Sequence, residues 1–180
     1  MIVLVSGCVC LTTHRFAFAA PVSVISLRSG KGILMSTPPR TDRFLAAFRT
    51  FRAAPEALVR EICTASHHLS FSPGDVLYRE GDACPGVALF LDGEVRVYKV
   101  AESGREITLY EIGPGETCVL NASCILAEQQ YPAHAAAITA GELLMLPSAV
   151  FQKLLADYPE MRRFIYGFFS RRLANIMELV

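Results

Sequence analysis

Phe90-Leu91-Asp92-Gly93-Glu94-Val95-Arg96-Val97-Tyr98 (FLDGEVRVY) sets an Asp-Gly pair between an apolar run that begins at Val87 and an alternation of apolar and charged residues. Asp-Gly tolerates the positive φ that a type I′ turn needs at both central positions, so the stretch predicts a tight two-residue hairpin. Further turn signals lie on either side: Pro73-Gly74, Pro85-Gly86, Ser103-Gly104, Gly113-Pro114-Gly115 and Gly141. Their spacing is that of many short strands, and it predicts an antiparallel barrel or roll from about Leu69 to Leu146. Ser103-Gly104 turns the second strand into a third over 105–112, and later strands fall near 133–139 and 142–146.

The flanks have a helical period instead. Thr41-Asp42 offer a cap, and Phe44, Leu45, Phe48 and Phe51 form one apolar stripe, which predicts a first short helix. A second opens at Pro55 with Leu58, Val59, Ile62 and Cys63 on one side and Glu56 with Arg60 as an i,i+4 pair. After the strands, Pro147 opens a helix carrying Val150, Phe151, Leu154 and Leu155. Asp157-Tyr158-Pro159-Glu160 has the form of a capping box that starts another. The apolar positions of that last helix run from Met161 through Phe164, Ile165, Phe168, Phe169, Leu173 and Ile176 to Val180, a stripe wide enough for both a roll and a partner helix. The stripe has no C-cap glycine or proline stop at Val180, which implies a shortened chain.

Three segments follow from this pattern: an extension without regular period over 1–40, a β-roll with its helices over 41–156, and the start of a long amphipathic helix over 157–180. In the extension, the apolar run 16–27 contains Pro21 and is shorter than the ~18 residues that a membrane span needs. Val5-Ser6-Gly7-Cys8 resembles a lipoprotein cleavage box but no basic residue precedes it, so neither membrane insertion nor anchoring is expected. Met35 is an alternative start. Lys and Arg total 17 and Asp and Glu total 17, so no net field favours nucleic acid. The 52% hydrophobic content suits one compact domain, and the six cysteines are expected to be reduced cytosolic thiols. His67 and His68 are adjacent and point to opposite faces of a strand, while His134 stands among alanines as a packed or surface residue; neither arrangement suits a metal. The cysteines 63, 84, 118 and 124 contain no C-x-x-C pair, and no nucleophile elbow, phosphate loop or H-E-x-x-H occurs. The expectation is a protein that is not an enzyme.

Two helices, a β-roll, a short helix and a long amphipathic helix, in that order, resemble the effector domain of the Crp/Fnr family of transcription regulators. Pro73-Gly74-Asp75-Val76-Leu77-Tyr78-Arg79-Glu80-Gly81-Asp82 resembles the family's first roll turn, residues 90–98 its glycine-centred hairpin, and Ile112-Gly113-Pro114-Gly115-Glu116 the turn into its ligand cassette. The resemblance covers roughly 42–180. It implies a mainly β fold with flanking helices: an antiparallel, jelly-roll-like β-roll of the cyclic-nucleotide-binding type, with a long C-terminal dimerisation helix. It also implies a cytoplasmic homodimer. The dimer contacts it points to are Met161, Ile165, Phe168, Phe169, Arg172 and Ile176, and DNA is met only through a helix-turn-helix absent from this chain.

The resemblance places the ligand site at Gly115, Glu116, Thr117, Cys118, Leu120, Asn121, Ala122, Ser123, Cys124, Tyr131 and Pro132. In relatives that bind cyclic nucleotides the cassette presents Gly-Glu and then Arg-Ser or Arg-Thr, the arginine neutralising the phosphate. Here these positions fall near Leu120-Asn121 and at Tyr131-Pro132, and residues 106–152 hold no arginine or lysine. A buried phosphate would lack a sequence-local countercharge, so a cyclic nucleotide is disfavoured and the effector is unknown. Cys118 and Cys124 suggest thiol or redox sensing, against the plainer reading of both as buried apolar residues. The alternative to a sensor is a stand-alone interaction module with neither ligand nor DNA-binding activity.

Overall fold

The computed structural model describes residues 41–177, with the side chains of residues 175 and 176 outside the described set. The readings made for 1–40, for the side chain of Ile176 and for Val180 therefore lie outside the described residues. Helix α1 (Thr41–Ala47) is followed by a 3-10 turn (Arg49–Ala53) and α2 (Glu56–Ala65). The expected single helix through Phe51 is thus broken at Phe48, whose φ of −98° and ψ of 71° leave the helical region. The tighter turn has a three-residue period that brings Phe48 and Phe51 to one side. With Phe44 they form an aromatic cluster whose centroids lie 5.0 to 6.5 Å apart. In α2, Leu58, Val59, Ile62 and Cys63 are buried as the stripe predicts, and Pro55 stands just ahead of the first helical residue.

Seven strands follow: β1 (His67–Phe71), β2 (Val76–Tyr78), β3 (Gly86–Asp92), β4 (Val95–Val100), β5 (Glu106–Ile112), β6 (His134–Ala137) and β7 (Gly141–Pro147). They form two antiparallel sheets, ordered β1-β7-β3 and β2-β6-β4-β5, and so the expected roll. Ser103-Gly104 does join β4 to β5 as a hairpin, with Val100 opposite Glu106 and Gly104 N–H donating to Ala101 O at 2.8 Å.

Asp92-Gly93 makes no hairpin. β3 pairs with β7 in one sheet, while β4 pairs with β5 and β6 in the other, so the Asp-Gly pair is the corner where the chain leaves one sheet for the next. Only Gly93 has a positive φ, 81°, and not Asp92. Gly93 is required by close passage of another chain segment: a Cβ there would sit 2.7 Å from both Ala140 O and Gly141 Cα. The alternation of β4 fits either connection, since turn chemistry specifies a reversal but not the partner strand.

β3 explains the continuous apolar run. Val87, Leu89 and Leu91 face the helices and join Leu144, Leu146, Leu58, Ile62 and Phe151 in one core. Ala88 and Phe90 face the inside of the roll with Val95, Val97, Ile112 and Leu143. The strand is buried on both faces, and hence does not alternate. On β1, His67 is exposed and His68 turns to Glu142 at 2.9 Å, a carboxylate that also pairs with Arg43 of α1 at 2.6 Å.

Helix α3 (Val119–Ala127) interrupts the roll between β5 and β6. Helices α4 (Ser148–Asp157) and α5 (Pro159–Met177) close the chain. Asp157 does not cap α5. It ends α4 and pairs with Lys153 at 3.4 Å, while Arg162 of α5 donates to Leu155 O and Ala156 O and so satisfies carbonyls at the end of α4. We expect Gly93→Ala to destabilise the fold by roughly 2–4 kcal/mol, because it adds left-handed strain to a backbone clash. Gly104→Ala, with similar φ but open space around it, should cost about 1 kcal/mol; urea unfolding of the two variants checks the difference.

Candidate functional site

The turn into α3 is built as a scaffold. Gly115, at φ 78°, donates its N–H to Phe90 O, and a Cβ on it would meet Ala47 O of α1 at 2.5 Å. Glu116 accepts from Gly113 N–H at 3.0 Å. Thr117 is fully buried and donates to Ala88 O at 2.7 Å. These residues hold the cassette against β3, a structural task that fills their polar groups before any ligand arrives.

Inside the roll the decisive feature is a set of stacked and hydrogen-bonded tyrosines. Tyr131 lies parallel to Tyr78 with ring centroids 3.9 Å apart. Its hydroxyl accepts from Asn121 Nδ2 at 2.7 Å and from the Cys84 thiol at 3.2 Å. Asn121 also donates to Gly86 O at 3.1 Å, while its Oδ1 is buried without a hydrogen-bond partner among the described residues. The Cys118 sulfur sits between Tyr78 Oη at 3.1 Å and Tyr110 Oη at 3.5 Å. Space for these rings comes from β6, whose inward residues Ala135 and Ala137 are small, as is Ala133 just before it.

Burial pushes the Tyr78, Tyr110 and Tyr131 phenols above their ordinary values and raises the Cys84 thiol. Burial, with the neighbouring Cys84 and Cys118 sulfurs, pushes the Cys124 thiol up to about 11. The surroundings thus disfavour negative charge. The cation that reaches the cassette comes from far along the chain: Arg172 of α5 donates to Glu111 O at 2.8 Å, pairs with Glu116 at 3.5 Å and lies 4.6 Å from the Tyr110 ring centroid. Arg172, expected at a dimer contact, is therefore attached to the roll of its own chain.

The remaining expected residues divide. Ala122 and Cys124 are buried, Leu120 is half-buried against the roll core, and Ser123 and Pro132 are exposed. Cys124 approaches Gln130 O at 3.4 Å. On α5, Met161, Ile165 and Phe168 are buried in their own chain and Phe169 is half-buried, while Tyr166, Leu173 and Met177 are exposed at 59%, 61% and 70%. Sequence reasoning did not single out Tyr78, Tyr110 or Cys84. The i,i+2 spacing of Val76 and Tyr78 was a usable sign for the first, but Cys84 lies in a loop without period. Among the described residues no cluster of three His, Cys, Asp or Glu side chains is arranged to hold a metal. No described helix is long and apolar enough to cross a membrane.

Residues 68–158 match the model of the cyclic nucleotide-binding domain, half of the chain, and the chain belongs to that family. It is similar to the global nitrogen regulator of Synechococcus elongatus, 31% identical over 61% of this chain and 50% of the regulator. It is also similar to the lysophospholipase NTE1 of Phaeosphaeria nodorum, 25% identical over 67% of this chain but only 8% of that protein. The fold matches a Eubacterium rectale structure described as a Crp/Fnr-family transcriptional regulator, with TM-score 0.65, 23% identity and coverage of 74% of this chain and 62% of the other. This chain thus spans a small part of the lysophospholipase and about half of the nitrogen regulator.

The raised Cys124 thiol gives a pH signature, because the thiolate is the nucleophile. Moving a thiol from 9 to about 11 lowers its thiolate fraction at pH 8 roughly a hundredfold. In the folded protein, alkylation of Cys124 by iodoacetamide should rise about tenfold per pH unit from 7 to 10 without levelling near 9. Peptide mass spectrometry of quenched samples reads this.

Proposed function

We propose that this chain is the effector-sensing and dimerisation part of a cytoplasmic, non-enzymatic Crp/Fnr-type transcription regulator whose effector is not a cyclic nucleotide held in the family's usual manner. The observation that carries the reading is Tyr131. At the position where an arginine would neutralise a phosphate, it places a buried ring stacked on Tyr78. An anion there would displace a hydrogen-bonded phenol and sit among groups that disfavour charge. Arg172 is occupied by Glu116 and Glu111 O, though it marks where the roll meets α5.

The sensing path runs from the Tyr131–Tyr78 stack through Cys118 and Tyr110 to Arg172 and the long helix. A change inside the roll that moves Tyr110 alters the hold on α5, and small helix shifts at an interface are a recognised route to a large output. The surface for a second copy is the exposed line Tyr166, Leu173 and Met177, with half-buried Phe169 beside it. Met161, Ile165 and Phe168 anchor the helix to its own roll. DNA would be met through a further domain, as in the whole regulators that the fold resembles.

A reading as a stand-alone interaction module is favoured by one observation, the filled roll interior. Thermal shift separates the two. A micromolar binder at 1 mM would stabilise the native state by about 4 kcal/mol. We expect no shift with cyclic AMP or cyclic GMP and a shift with at least one of haem, nitric oxide or an oxidant. A clear cyclic-nucleotide shift overturns the effector reading, and silence from every effector with self-association intact favours the module. For the interface, Leu173→Asp should convert dimer to monomer in sedimentation velocity with the melting temperature of the monomer little changed.

A further inference from the structure

Cys84 lies in the loop between β2 and β3, with its sulfur 3.6 Å from the Asn121 carbonyl of α3. Cys124 is three residues beyond Asn121 on the same helix, and helical neighbours at i,i+3 stand about 5–6 Å apart at Cβ. Both cysteines line one surface cleft of about 350 Å3 between the loop carrying Cys84, the end of α3 and the start of α4. Cys118 is wholly buried and does not line that cleft, and Cys63 belongs to the helical core. We propose that Cys84 and Cys124 are a redox pair that closes into an intrachain disulfide at this cleft.

The surroundings suit a neutral product and a brief intermediate. A disulfide carries no charge, whereas either thiolate would be penalised by its burial. Both sulfurs are therefore slow toward peroxide at neutral pH, which sets a threshold. In the reaction with hydrogen peroxide, one sulfur forms a bond to oxygen as the O–O bond breaks and water leaves, giving a sulfenic acid. The second sulfur attacks the first, the S–O bond breaks, and another water leaves with the remaining thiol proton. Two thiols lose two electrons and two protons, and one peroxide is reduced to two waters. The buried Asn121 Oδ1, which lacks a partner among the described residues, belongs to the amide whose Nδ2 is 3.9 Å from Cys84 Sγ.

Closure would take the Cys84 thiol from the Tyr131 hydroxyl, which it now meets at 3.2 Å. The stack on Tyr78, and through it the path to α5, would feel that loss. This consequence rests on the sensor reading above; the disulfide does not.

The test uses the full chain with Cys8→Ser and Cys10→Ser, treated with hydrogen peroxide, alkylated and mapped by non-reducing peptide mass spectrometry. The expected result is the loss of two hydrogens and a Cys84–Cys124 linked peptide, with Cys63 and Cys118 alkylated. Cys84→Ser and, separately, Cys124→Ala should abolish the link and Cys118→Ser should keep it. Recovery of Cys84 and Cys124 in separate alkylated or over-oxidised peptides, or a bridge through Cys118, overturns the pair. Sedimentation velocity on the same samples reads the consequence: a bridge with altered self-association supports both readings, and a bridge with unchanged self-association retains the pair while overturning the path to α5.

Discussion

Burial of β3 on both faces is the constraint on which the rest of this structure depends. One strand supplies Val87, Leu89 and Leu91 to the helical core and Ala88 and Phe90 to the roll core. The two cores therefore share one wall, and α1 and α4 pack directly on the strand that lines the interior of the roll. Close-packed interiors transmit strain rather than absorb it. The turn at Gly115 ties in a third element, since it hydrogen-bonds to Phe90 and packs against the end of α1.

The interior of the roll is filled by its own side chains. Tyrosines and cysteines occupy the space, joined by sulfur–hydroxyl contacts and one amide. Burial penalises the ionised forms of Tyr78, Tyr110, Tyr131, Cys84 and Cys124. Among the described residues Asn121 Oδ1 is buried without a hydrogen-bond partner, and Nδ2 of the same amide lies 3.9 Å from the half-buried thiol of Cys84. Buried polar networks are costly when partly satisfied.

Helix α5 divides its labour by position around the axis. Met161, Phe164, Ile165 and Phe168 face inward, with Phe164 in contact with the Phe48 and Phe51 rings at 5.8 and 5.0 Å. Tyr166, Leu173 and Met177 face away. Periodicity alone showed a stripe too wide for one surface. Which half met the roll depended on where the aromatic cluster of α1 and the 3-10 turn came to rest.

The sequence by itself determined the β-roll between flanking helices, the hairpin at Ser103-Gly104 and the buried face of α2. Each of these follows from residues within a few positions of one another. Only the tertiary structure decided that Asp92-Gly93 is a corner between sheets, that 119–127 is a helix, that Tyr131 stacks on Tyr78, and that Arg172 reaches the cassette. The physical reason is range: backbone propensity and side-chain period act over a turn or a strand. Strand pairing, ring stacking and charge placement join residues as many as 116 positions apart, as Phe48 and Phe164 are. Those partners are selected by the packing of the whole core, which no local pattern contains.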